Sequence, residues 1–380
     1  MDARFSDVLV IGSGPSGLVF SAVAAKNRSV TLLEKESKVF KLGKRILVSG
    51  NGRANFFNEN LLKEENYTLG MLSSLRDVVF DDGINYASSF MSYLTEELKF
   101  PYLKEGDLYY PFFNRAESLH NVLVTETENR RVDVIKGQLL KINPPEKTCI
   151  YMSSGHKETI RYNTLVLALG GVSLDRSEDD IFPLKDLHLK RREFSPCLCP
   201  VKVKERIPNS FKKNRLKGKL SLYINDEVAY SEYGELIFKD DGISGICVFD
   251  STLYINNALR KDNNSKIKYV FDYLYGADIS DISKDSLPLF LKEGLKDNEL
   301  FKPLSFTFDS FYSFKDSQIS YGGILLEEVD KKTMRLNKYK DIIVLGEMLD
   351  QNFICGGYNM GMAFIEGYKA ARRLDYVFKN

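Results

Sequence analysis

Two textures of apolar residues alternate along this chain. Up to about residue 193, and again after about Pro303, continuous apolar runs end in glycine. Val8-Leu9-Val10-Ile11 precedes Gly12, Leu165-Val166-Leu167-Ala168-Leu169 precedes Gly170 and Gly171, and Ile342-Ile343-Val344-Leu345 precedes Gly346. Such runs suit parallel strands covered on both faces, and a glycine at the carboxyl end leaves room for a ligand. From Phe194 onward the pattern changes to short alternating segments: Val201–Val203, Lys219–Ile224, Val228–Tyr230 and Glu235–Phe238, which read as antiparallel β. Helical spacing links Ala87, Phe90, Met91, Leu94 and Leu98 before Pro101, and helices are also predicted over 116–128, 251–259, 287–295 and 361–374. Further strands are predicted at 132–135 and 148–152, and an ordered loop over 42–58. The expected fold is α/β, with a discontinuous nucleotide-binding domain (1–193 and 304–380) interrupted by a β-rich insertion with a small helical part (194–303).

The first apolar run opens the strongest local signal. Gly12-Ser13-Gly14-Pro15-Ser16-Gly17 has G-x-G-x-x-G spacing, leads into a helix over 18–25, and is followed by a second strand, Val30–Leu33, ending at Glu34 and Lys35. In this Rossmann-like arrangement Gly12 permits a tight turn, Gly14 admits a pyrophosphate and Gly17 lets helix and strand approach. The helix N-terminus offers N–H groups to the diphosphate, and Glu34 stands where a ribose-binding carboxylate is expected. Only one complete unit of this kind is present, so a second dinucleotide domain is not expected.

Composition narrows the class. No apolar run approaches about 18 residues, and the first strand enters its glycine turn too early for a leader, so a cytoplasmic protein without a membrane span is expected. Five cysteines, an odd number without a C-x-x-C pair, fit reduced thiols; Cys197 and Cys199 lack a second pair, and with three histidines no metal site is expected. Net charge is +1, yet twelve cations face three acids between Lys185 and Lys219. That segment is read either as a surface for a polyanion such as RNA or as a solvated strand face. Phe194 and Phe211 are its aromatics, so stacking on bases is not evident within it.

Three more segments join the first turn. Gly43-Lys44-Arg45 through Gly50-Asn51-Gly52-Arg53-Ala54-Asn55 combines loop glycines with cations suited to phosphates or an electron-rich ring. Gly346-Glu347-Met348-Leu349-Asp350 places acids after a strand, where ribitol or ribose hydroxyls can be held. Cys355-Gly356-Gly357-Tyr358-Asn359 leads into the last helix, whose N-terminus favours negative charge on a reduced ring. Together they ask for FAD more than NAD. Tyr109, Tyr110, Phe112 and Phe113 flank Pro111 as core or as a pocket wall, and Tyr321 is a proton donor or a packed phenol.

On these segments, with Ala168-Leu169-Gly170-Gly171, Gly322-Gly323 and Asp330 with Thr333-Met334, nearly the whole chain resembles the BaiN-like family of bacterial NAD(P)/FAD-dependent oxidoreductases, the aminoacetone-oxidase-type flavoproteins. The resemblance implies that Gly12, Gly14, Gly17 and Glu34 hold the ADP half of FAD. Lys44, Gly52, Arg53, Asn55, Glu347, Asp350, Gly357 and Asn359 would surround the ribitol and isoalloxazine, with Arg45, Gly170 and Gly346 beside them. The chain departs from the family pattern at Ala54, where cysteine is usual, at Lys239–Ile246, which lacks a histidine and a proline, and at Ser173–Asp180 in place of a glycine-rich loop. The implied activity is FAD-dependent oxidation or reduction, with NAD(P)H as donor and a small molecule as substrate. The alternatives are a flavin-dependent reductase acting on RNA uridine and a non-catalytic flavin-binding sensor or partner protein. No catalytic acid or base is named.

Overall fold

The computed structural model describes residues 4–35, 41–68, 70–174 and 182–375. The chain divides into two compact units, one made of 1–172, 176–193 and 322–380, the other of 173–175 and 194–321.

The first unit is built on a nine-stranded sheet. Arg4–Ile11 lies between His156–Leu167 and Val30–Glu34, parallel to both, with Ile11 opposite Leu167 on one side and Leu33 on the other. Ile342–Val344 and Asp133–Lys136 extend the parallel order outward. Because the registers agree, the central strands end at one level, and Gly12, Ala168 and Glu34 emerge side by side. Val8–Ile11, Leu32, Leu33 and Leu165–Leu167 are buried, as continuous apolar runs covered on both faces must be. The helix Pro15–Ala24 is buried from Ser16 to Ala24 because the last helix, Tyr358–Arg372, packs against it. A Cβ at Gly367 would fall 2.4 Å from the Ser16 carbonyl oxygen, so this crossing requires a residue without a side chain.

Two local expectations change. The segment predicted as a loop over 42–58 contains a short helix, Lys44–Val48, and a tight 3₁₀ turn, Ser49–Gly52. The helix predicted over 85–99 is α-helical from Tyr86 to Ser92 and then widens into a π turn, Tyr93–Glu97.

The second unit is a closed six-stranded antiparallel barrel. Around it run Val201–Val203, Gly242–Ser244, Glu227–Phe238, Arg215–Ile224, Ile267–Asp272 and Leu304–Phe311, the last pairing back to the first. Leu220, Leu222, Leu236, Phe238, Tyr269 and Phe271 fill the interior, and the helix Ile246–Lys261 packs against the Glu227–Phe238 strand. Phe211 stacks edge-on against Phe238 at 4.8 Å and Phe290 at 5.3 Å. The segments predicted at 228–230 and 235–238 are one strand, whose polar middle (Ser231, Glu232) hides its continuity. The insertion boundary also differs from 303: Leu304–Phe311 closes the barrel, so the unit extends to Tyr321. Among the described residues no helix is long and apolar enough to cross a membrane.

Candidate cofactor site

The three glycines of the first turn do different work. Gly12 has φ +97°, and a Cβ there would lie 2.5 Å from the Ala168 carbonyl oxygen; at Gly17 it would lie 2.0 Å from the Gly12 carbonyl oxygen. The fold itself therefore requires both. A Cβ at Gly14 would meet only the Ala168 oxygen at 3.9 Å, an ordinary contact. The protein leaves that position open, as approach of a diphosphate demands. Gly14 precedes the helix without a side-chain cap and Pro15 occupies its start, so the first-turn N–H groups remain for an anion.

Glu34 ties this turn to its neighbours. Its Oε2 accepts from the Ser13 N–H at 2.5 Å, and the Ser13 hydroxyl oxygen accepts from the Gly43 N–H at 3.0 Å. The second strand, the glycine turn and the 43–55 segment thus share one hydrogen-bonded chain. Buried His120 braces it by donating from Nε2 to the Leu42 carbonyl oxygen at 2.7 Å. Beside Glu34 a cleft is lined by Gly12, Lys35, Gly137, Leu139 and Leu169. The 137–139 contribution escaped the sequence pattern, although a glycine directly after a strand was a usable signal.

In the 43–55 segment, Lys44 is exposed, Arg45 is half-buried and Gly52 (φ +83°) has nothing within 4 Å of where a Cβ would sit. Arg53 is committed elsewhere in the unit. Its Nη2 donates to both Glu105 oxygens at 2.9 and 3.1 Å, its Nε donates to Asn114 Oδ1 at 2.7 Å, and its guanidinium lies 4.3 Å from the Tyr110 ring centroid. Asn55 is the opposite case. Among the described residues its Oδ1 is buried without a hydrogen-bond partner, and it stands 2.7 Å from the Cβ position of Gly357, at the N-terminus of the last helix. A buried acceptor in that state is open to a donor.

The third cluster surrounds Gly346. Its N–H donates to Glu366 Oε2 at 2.6 Å, and Gln351 Nε2 donates to the other oxygen of the same carboxylate. Glu366 is wholly buried, and burial pushes its carboxyl up to about 7 against the opposing effect of those two donors. A Cβ at Gly346 would lie 3.1 Å from Ser16 Oγ, so this turn sits against the start of the first helix. Leu169 donates its N–H to Met348 Sδ at 3.1 Å, which brings the segment of Gly170 (φ +72°) alongside. Glu347 is half-buried; Asp350 Oδ2 accepts from Arg192 Nη1 at 2.7 Å. Asn359 holds the preceding loop, accepting the Phe353 N–H at 3.2 Å and donating to the Phe353 carbonyl oxygen at 2.9 Å. Glu366 and Arg192 were not singled out from the sequence; a lone acid within the apolar run Ala363–Gly367 was the available clue.

The remaining candidates separate. Tyr109 and Tyr110 are buried while Phe112 and Phe113 are 51% and 68% exposed. The Tyr321 hydroxyl donates to Asn257 Oδ1, and Arg260 covers its ring at 3.8 Å, so this phenol is packed. Of the Ser173–Asp180 segment, Asp175 onward lies outside the described residues. All five cysteines are free thiols, four of them buried.

A parallel sheet with a glycine turn and a carboxylate on the second strand is a dinucleotide-binding arrangement. The chain belongs to the HI0933-like protein Rossmann domain family, matched over residues 6–373, a family of FAD-binding oxidoreductases of BaiN-like type. It is 24% identical to a 3-dehydro-bile acid delta(4,6)-reductase of Clostridium scindens, covering 96% of this chain and 97% of that protein. It is 22% identical to a ribosomal RNA dihydrouridine synthase of Haemophilus influenzae, covering 97% and 98%. A 3-ketosteroid delta1-dehydrogenase from Sterolibacterium denitrificans shares the fold with TM-score 0.57 at 12% identity, over 98% of this chain and 99% of that one. A flavocytochrome c3 fumarate reductase does so with TM-score 0.51 at 14% identity, over 97% and 78%.

Proposed function

We propose that this FAD-dependent oxidoreductase holds the ADP half of its cofactor on the Gly12–Gly17 turn and Glu34, and the flavin half among Lys44, Arg45, Gly52, Asn55, Gly170, Glu347, Asp350, Gly357 and Asn359. The observation that carries the placement is the open position at Gly14 between two glycines that the fold cannot spare. The unpartnered Asn55 Oδ1 supports the flavin end, since ring N–H and ribitol hydroxyl groups are donors. When bound, FAD supplies hydride chemistry at N5. The protein's part is to orient the ring, and the N-terminus of Tyr358–Arg372 favours negative charge near it.

The electron donor in this reading is NAD(P)H in the cytoplasm, reaching the ring without a domain of its own because the chain holds one complete glycine-turn unit. Donor and substrate then take turns, giving ping-pong kinetics. Anaerobic mixing of the yellow holoprotein with NADH and with NADPH tests this. Bleaching by either, followed by recovery with an acceptor, supports the enzyme; no bleaching by both favours a flavin-binding sensor or partner. A ternary complex of enzyme, nicotinamide and substrate would count against a shared mouth.

Two substrate classes follow from the relatives. A small unsaturated ketone is suggested by the bile-acid reductase, and uridine in RNA by the dihydrouridine synthase. Loss of dihydrouridine from total RNA of a deletion strain, restored by the gene, would select the second; unchanged RNA would leave the first.

A further inference from the structure

The cation-rich segment 185–219 is divided between the two units. Residues 185–193 belong to the sheet unit and 194–219 to the barrel unit. Several of its cations are already paired: Lys190 with Glu327, Arg192 with Asp350, Lys202 with Asp241, Lys212 with Asp240 and Arg215 with Glu235. Among the described residues Lys217 and Lys219 have no ion-pair partner, and the barrel's register places them in different company.

Along Arg215–Ile224, Leu220 and Leu222 point inward, so Lys217, Lys219 and Ser221 point outward. Lys219 pairs across the ladder with Tyr233 on one side and Asp272 on the other, and Tyr223 pairs with Lys268. Tyr233 is 60% exposed and Tyr275, just beyond the Ile267–Asp272 strand, is 52% exposed. Their ring centroids are 6.4 Å apart at 45°, and Lys219 Nζ lies 4.5 Å from the Tyr275 centroid. Ser221 and Ser231 hydroxyls meet at 3.1 Å beside them. Lys268 is exposed, with no carboxylate partner. The acids on this face are Glu235, paired with Arg215 at 3.2 Å, Asp272, which stands across the ladder from Lys219 and accepts the Leu274 N–H at 3.0 Å, and Glu205, which accepts from the Thr307 N–H at 2.7 Å. Two exposed tyrosines among three lysines that form no ion pair among the described residues make a barrel surface whose chemistry matches bases and phosphates together.

We propose that this outer barrel face docks single-stranded RNA, with Tyr233 and Tyr275 stacking on unpaired bases and Lys217, Lys219 and Lys268 on phosphates. The choice of RNA rests on the uridine reading above; the surface itself rests on the exposed rings and the lysines beside them. Single strands are favoured because aromatic faces are sequence-tolerant partners for unpaired bases, whereas a paired helix hides them. An acidic protein surface would use the lysines and leave the tyrosines without a role.

The test uses FAD-loaded protein and fluorescence anisotropy with a labelled oligouridine of about 12 nucleotides, a length suited to one small barrel. Expected results are binding at about 20 mM salt that weakens steeply towards about 200 mM. Lys217→Gln/Lys219→Gln/Lys268→Gln should reduce the slope of log affinity against log salt by about two, since each single-strand phosphate contributes about 0.7. Tyr233→Ala and Tyr275→Ala should each weaken binding about tenfold without changing that slope. Melting curves and flavin absorbance identify variants that remain folded and loaded. Absent binding at low salt, affinity unchanged in the lysine variant, or equal binding of a paired RNA would overturn the proposal. Oligouridine binding with no dihydrouridine loss in the deletion strain would refute the substrate reading and keep the surface. Dihydrouridine loss with no oligouridine binding would do the reverse.

Discussion

The Gly12–Glu34 turn and the outer face of the barrel both gather residues suited to a nucleotide, but they are assembled in different ways. In the turn, consecutive residues meet because a tight bend and a helix start are local geometry: Gly12, Gly14 and Gly17 occupy six successive positions. On the barrel, Lys219, Tyr233, Lys268 and Tyr275 come from separate stretches, and only strand register makes them neighbours. A local device can be moved as a unit with little loss. A registered face depends on every residue between its members.

The largest expected effect breaks that contrast directly. One alanine inserted between Gly218 and Lys219 turns Leu220 and Leu222 outward and Lys219 inward, and the barrel should fail to fold, seen as loss of soluble protein. The same insertion in the exposed link at 27–28 should leave FAD affinity within about tenfold, because the turn travels with its own residues. Comparable losses in both would end the distinction.

Next, the glycines divide the turn itself. Gly17→Val should cost about 3 kcal/mol or more by overpacking and lower the melting temperature of the apoprotein. Gly14→Val should melt within a few degrees of wild type yet be purified colourless, since its side chain enters the open position. If Gly14→Val retains FAD, the cofactor is not on this turn.

A smaller effect concerns Glu366. Burial holds its folded carboxyl at about 7, above the ordinary 4.5, so the folded state keeps a proton that the unfolded chain gives up. Its contribution to stability is therefore complete below about pH 4.5 and lost as pH rises through about 7. Glu366→Gln should flatten the pH dependence of the melting temperature across that window, and an unchanged slope would refute the assignment. The smallest effect is at Arg53, whose partners Glu105 and Asn114 are exposed: Arg53→Ala should change stability by less than about 1 kcal/mol in thermal melts.

The same contrast explains what could be read from the chain. The buried parallel strands, the glycine turn and Glu34 were legible because each is marked by neighbours in sequence. Leu304–Phe311 was missed as part of the insertion because its role is to close a barrel, a property of its partners. The aromatic residues beside these lysines lie outside the charged segment, one strand away at Tyr233 and beyond another at Tyr275. Arg53 was placed by motif beside the flavin, while its side chain answers to Glu105, Asn114 and Tyr110. Glu366 was overlooked because a buried acid is meaningful only once Gly346 and Gln351 are seen to donate to it.

The contact between Gly367 and Ser16 has a consequence for how the molecule is made. The first helix is synthesised before the barrel, but the partner that buries it follows the barrel in the chain. The nascent sheet domain must wait, with its nucleotide turn formed and one flank uncovered, while the whole barrel is translated. The barrel is contiguous apart from residues 173–175 and can complete itself during that interval. Maturation thus runs against chain order: the inserted unit can complete itself first, and the sheet unit matures only when Tyr358–Arg372 arrives.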